Sequence, residues 1–234
     1  MTHAAINHSL LALGLILQCS LLALLFTRRL ARSLPIFTLL IAFYLLRSVL
    51  LLTLFGHIDS DFYAVTYNTL AAVDLVLQLL LAVEIAARLV RAAGGWATHR
   101  GALLTLPCLA LVATLWLTQA LPAQTRVPPD RLQLFNWFLA VLLCLWAISL
   151  RKTAPAATLL LRRLLLGLGA YAFLGIGATI LRTLAAANRD ALRFTRFSYI
   201  LPIAWLLVVL YWIAALKPQP NRPAQLTAPP VPTA

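Results

Sequence analysis

Charge is scarce in this chain, and acid is scarcest. Asp, Glu, Lys and Arg make up 11% of the residues, with six acidic side chains against nineteen basic ones. A soluble globular domain has about 25% charged residues; this chain is 62% hydrophobic, with a mean hydropathy of +0.92. In water that composition would leave large apolar patches exposed, so lipid is the solvent that suits it.

Reactive groups are equally sparse. Cys19, Cys108 and Cys144 all fall in apolar runs with no C-x-x-C or His-Cys spacing, so they read as free thiols acting as small hydrophobes rather than a metal or redox centre. Ile16-Leu17-Gln18-Cys19 resembles a lipoprotein cleavage site only loosely. The residue before the cysteine is not small and the N-terminus has no Lys or Arg, so a retained first helix is expected. The only lysines, Lys152 and Lys217, stand at the ends of apolar runs, which excludes a retinal Schiff base within the last run. His3, His8, His57 and His99 lie outside or at the edges of those runs, and neither H-E-x-x-H nor G-x-S-x-G occurs. An enzyme needs an assembled nucleophile, base or metal site. The expectation is therefore a non-enzymatic protein with no cofactor and no metal.

Long apolar runs are what the chain does have. Seven windows approach the 20 or so apolar residues needed to cross about 30 Å of hydrocarbon: Ala5–Phe26, Pro35–Phe55, Ala64–Leu89, Ala102–Leu121, Leu132–Leu150, Leu164–Ala186 and Tyr199–Leu216. They are apolar all round and lack the period of two that barrel strands show. The fold class read from them is an all-α integral membrane protein, a bundle of seven transmembrane helices over residues 1–216. Residues 217–234 hold six of the thirteen prolines and read as a disordered cytoplasmic tail.

The formal charge of +13 is spread in short basic clusters between the runs, as the positive-inside rule expects, and not as a nucleic-acid-binding stripe. The first, third and fifth connections and the tail hold Arg28, Arg29, Arg32, Arg88, Arg91, Arg100, Arg151, Lys152, Arg162, Arg163, Lys217 and Arg222. The opposite side holds Arg126, Arg131, Arg189, Arg193 and Arg196. This places the N-terminus outside and the C-terminus in the cytoplasm of a plasma (inner) membrane protein. No connection exceeds about 13 residues, so no catalytic domain is housed between helices.

Ionisable residues deep in an apolar run mark function or an internal pairing. Arg47 lies about eight residues from the outer end of the second run, and Asp74 about ten from that of the third, so both sit roughly 12–15 Å deep. Matching depth on adjacent antiparallel helices predicts an Arg47–Asp74 ion pair. Tyr67, Ala71, Asp74 and Gln78 follow the spacing of one helix face, Asn68 is beside them, and Arg182 of the sixth run approaches their upper part. Two readings stand: an outward-open polar cavity that binds a small or anionic ligand, or a polar lock that sets helix register. The first makes the protein a sensor or receptor that signals through a cytoplasmic or membrane partner. A secondary transporter and an accessory subunit are the alternatives.

Other features have plainer readings. Glu84 and Arg88 form an interfacial i,i+4 pair. Gly56-His57-Ile58-Asp59-Ser60-Asp61 reads as a solvated turn that can pair with Arg189, Arg193 or Arg196. Gly167, Gly169, Gly175 and Gly177 read as close helix contacts or a flexible segment, and Pro107 and Pro202 as kinks. Phe55, Phe62, Tyr63, Phe135, Trp137, Phe138, Phe197 and Tyr199 on the outer side, with Trp96 on the inner, are assigned to an aromatic interfacial belt. Leu46-Arg47-Ser48 is echoed by Leu181-Arg182-Thr183, a faint mark of a three-plus-one-plus-three repeat.

Overall fold

Backbone amides find no water in hydrocarbon, so apolar runs of this length bond internally as helices. The structure, a computed structural model, describes residues 3–54, 60–92, 96–121, 131–149 and 159–216. Among the described residues it contains helices and no strands. The elements are α1 (His3–Thr27), α2 (Leu30–Ser33), α3 (Pro35–Leu54), α4 (Ser60–Ala92), α5 (Trp96–Ala120), α6 (Arg131–Ser149), α7 (Leu159–Ala187), α8 (Ala191–Ser198) and α9 (Ile200–Leu216). Six stretches are long and apolar enough to cross a membrane, and a shorter apolar helix, Leu104–Ala120, lies within α5. The chain is a multi-pass helical membrane protein by this measure. Gly56-His57-Ile58-Asp59, and the proline-rich residues from 217 onward, lie outside the described residues.

Packing closes a ring. Around it run α1, α3, α4, α6, α7 and α9, which returns to α1, while α5 packs mainly on the outer side of α6. Large apolar side chains point away from the ring: Leu104 is 71% exposed, Trp116 69% and Phe173 68%. In lipid this exposure costs nothing, which explains an apolar surface all round each helix. Cys19 and Cys108 share that exposed surface, whereas Cys144 is buried.

One half of the interior is a dense apolar plug. Leu21, Leu25, Phe37, Ile41, Ile85 and Trp212 are fully buried there. Phe37 and Trp212 meet edge to face at 5.0 Å, and Trp212 donates its indole N–H to the Leu164 carbonyl at 3.2 Å. Near this end Arg88 pairs with Glu84 at 2.6 Å, the i,i+4 bridge expected, and Arg163 donates to the Ala215 carbonyl in the last turn of α9 at 2.8 Å.

The glycines of α7 resolve into different roles. A Cβ at Gly167 would overlap the Trp212 ring, and one at Gly175 would stand 2.8 Å from the Trp137 ring. These two glycines let bulky indoles lie against the helix backbone. Gly177 has nothing within 4 Å, so the close-contact reading does not extend to it.

Candidate functional site

The other half of the ring is polar and hollow. It lies at the end where α3 and α7 finish and α4, α6 and α9 begin. Arg47 on α3 and Asp74 on α4 meet there with Arg47 Nη1 3.0 Å from Asp74 Oδ2. The side chains are 19% and 14% exposed, so each charge is largely removed from solvent and relies on the other. The second face of the Arg47 guanidinium lies over the Tyr67 ring, 5.4 Å from its centroid.

Gln78, one turn below Asp74, is the centre of the network. Its amide nitrogen donates to Asp74 Oδ1 at 2.8 Å and to the Tyr44 hydroxyl at 2.9 Å. Its carbonyl oxygen accepts from Asn136 Nδ2, and from Gln133 Nε2 at 3.3 Å. A primary amide offers two donors and two acceptor sites, so Gln78 is fully used. This ties α3, α4 and α6 together through one buried side chain.

Beside the network is a cavity of about 580 Å³, within the usual size for small-molecule sites. Arg47, Tyr67, Asn68, Asp74, Gln78 and Arg182, the six residues singled out in the sequence, all line it. Gln133, Trp137, Tyr171, Thr179, Thr183 and Phe194 complete much of the wall. Arg182 differs from Arg47 in having no carboxylate partner among the described residues. Its Nε is buried without a hydrogen bond, and its guanidinium lies 5.0 Å from the Phe194 ring centroid. Among the described residues the charged groups in the lining are two arginines and one aspartate, a net charge of +1.

Local capping places Phe194. Helix α7 ends in a Schellman turn, with Asp190 N–H on the Ala185 carbonyl at 2.9 Å and Arg189 N–H on the Ala186 carbonyl at 3.1 Å. Arg189 takes the left-handed conformation the turn needs, φ 55°. Asp190 then caps α8, accepting from the Arg193 backbone N–H at 3.0 Å, and its other oxygen pairs with Arg193 Nε at 3.1 Å. Arg193 is therefore engaged within its own turn; the expected pairing of the 56–61 loop with Arg189, Arg193 or Arg196 falls on residues mostly outside the described ones. The consequence is a short helix folded back across the cavity with Phe194 in its wall.

Several site residues escaped the sequence reading. Tyr44, Gln133, Asn136, Tyr171 and Trp205 join the cluster, and Tyr44 and Tyr171 each meet Trp205 edge to face, at 4.6 and 5.4 Å. Gln133 and Asn136 carried a usable signal, since their three-residue spacing marks a polar face within an apolar run. Trp137 needs correction. It is not part of an interfacial belt: it is 7% exposed, packed on Gly175, and its indole N–H has no partner.

The arrangement can hold an anion. It offers a guanidinium with no carboxylate partner among the described residues, together with hydroxyls and the Asn68 amide, around a space of small-molecule size. Among the described residues no group of three His, Cys, Asp or Glu is placed to hold a metal ion. Compared with known proteins, the chain matches no family model, no curated protein and no solved structure.

Proposed function

We propose that this is a non-enzymatic, receptor-like membrane protein of seven spans that binds a small anion in the α3–α4–α6–α7 cavity. The carrying observation is Arg182. A guanidinium held in an apolar helix is costly and marks a site; this one has no carboxylate partner among the described residues and lines the same cavity as the Arg47–Asp74 pair. Leu104–Ala120 counts as the seventh crossing: its 17 residues cover about 25 Å, and the preceding turns of α5 supply the rest. Seven crossings put the termini on opposite sides. The excess of Lys and Arg in the odd connections then makes the C-terminal side cytoplasmic and opens the cavity outward. With such short connections, signalling passes to a separate partner at the basic inner face.

The test is thermal stabilisation of the purified protein in mild detergent by small carboxylates and inorganic phosphate. A ligand at 100 times its Kd stabilises by about 2.7 kcal/mol, a readily measured shift. One class of anion is expected to stabilise the parent and not a folded Arg182→Gln variant. Absence of stabilisation by any anion overturns the proposal.

A second reading, secondary transport, draws on one observation. The echoed arginines Arg47 and Arg182 occupy the second helix of each half and line one cavity, with α5 set outside the ring. That is the layout of a parallel three-plus-one-plus-three repeat. Anion flux in proteoliposomes that vanishes in Asp74→Asn would favour this reading over a receptor.

A further inference from the structure

A second cavity adjoins the first. It is a crevice of about 500 Å³ between α1 and α9, beneath α8, with Leu10, Leu11 and Gly14 on one wall and Pro202 and Leu206 on the other. Phe194 belongs to the lining of both spaces. Deeper in the bundle the boundary is again aromatic: Trp205 faces the crevice, and Tyr171, in edge contact with it, faces the polar cavity. At Phe194 the partition is one side chain thick. On its polar side stands Arg182, stacked on Phe194 and without a carboxylate partner among the described residues; on its other side the walls are mainly apolar, with Ser48, Thr195 and Ser198 among the lining.

A cationic socket joined to an apolar crevice across one side chain has the polarity of an amphiphile. The charge balance narrows the head group. The +1 that the described lining residues carry is neutralised by one negative charge, as on a carboxylate, whereas a phosphate monoester carries about −1.5 to −2. The crevice also has a floor. Gln18, 5% exposed with its Oε1 unpartnered, lies eight residues beyond Leu10 along α1, about 12 Å deeper, so the aliphatic wall is of limited length.

We propose that the ligand is a single-chain fatty carboxylate of medium length, its head against Arg182 and its chain passing Phe194 into the α1–α9 crevice. This rests on the anion-binding reading of the polar cavity and adds the ligand class. Gly14 provides the variant that separates the two. A Cβ there meets only Leu206 Cδ2, at 3.6 Å, so a larger side chain can be built from Gly14 into the crevice without touching the polar cavity.

The experiment measures binding of butanoate, decanoate and decanol to the parent, Arg182→Gln and Gly14→Leu in one detergent. Each methylene withdrawn from water is worth about 0.8 kcal/mol, roughly fourfold. Even with most of this offset by the micelle, decanoate is expected to bind about tenfold more tightly than butanoate. In Gly14→Leu that margin should fall below about twofold while butanoate affinity is unchanged; in Arg182→Gln both carboxylates should be lost. Leu11→Phe, which narrows the same crevice, serves if Gly14→Leu does not fold. Equal affinity of the two carboxylates on the parent overturns the fatty-chain inference and leaves the anion site standing. Decanol binding as well as decanoate, indifferent to Arg182→Gln, overturns both. A parent that binds no carboxylate overturns the fatty-carboxylate inference, and the anion site falls with it only if inorganic phosphate does not bind either.

Discussion

The Arg47–Asp74 pair permits a quantitative test of what holds α3 against α4. At 3.0 Å and an effective dielectric of about 20, the attraction is roughly 5 kcal/mol before desolvation. Removing one partner of a fully buried pair costs about 3–5 kcal/mol, because the other charge is left stranded. Here the side chains keep 19% and 14% of their exposure, Asp74 retains Gln78 and Arg47 retains Tyr67. Each single leucine variant is therefore expected to lose about 2 kcal/mol, below the fully buried case. Arg47→Leu/Asp74→Leu removes both charges and should lose about 1 kcal/mol, since the apolar replacement strands nothing. The resulting coupling is about 3 kcal/mol, at the upper end for side chains in contact. Reversible unfolding in mixed micelles, followed by tryptophan fluorescence for all four proteins, measures it. Additive losses, with a coupling under about 0.5 kcal/mol, would show that the two charges do not stabilise one another.

Gly167→Ala should destabilise by about 1–2 kcal/mol, because the overlap with Trp212 outweighs the helix preference for alanine. Gly177→Ala, with open space at its Cβ, should instead be neutral or stabilising by up to about 1 kcal/mol in the same unfolding assay. Gln78→Leu should cost about 2–4 kcal/mol, since it leaves Asn136, Tyr44 and Asp74 short of partners in a buried setting. Adding Asn136→Leu should recover part of that loss; a further fall of the same size would mean that the Gln78–Asn136 bond is not what the single variant broke.

Much of the site was legible because depth in a membrane is written in sequence position. Counting residues from the ends of two apolar runs placed Arg47 and Asp74 at one level, and helical spacing put Tyr67, Asp74 and Gln78 on one face. The same count brought Arg182 towards them. Gln133 and Asn136 obeyed the same spacing rule but sat near a run end, where polar residues are common. Tyr44, Tyr171 and Trp205 gave no such signal, since an aromatic in an apolar run is equally at home against lipid or in a core.

The amino-acid sequence alone determined that this chain is helical and lipid-embedded, because every unpaired backbone amide in hydrocarbon demands a helix and the composition leaves no other solvent. It also determined where the costly charges lie along each helix. Only the tertiary structure decided which helices are neighbours, because apolar surfaces are interchangeable to lipid and to one another. The close approaches at Gly167 and Gly175, the amide network of Gln78 and the cap at Asp190 select one ring order and fold α8 across its mouth. That choice leaves Arg182 in the cavity without a carboxylate among the described residues, and sets a single phenyl ring between it and the crevice.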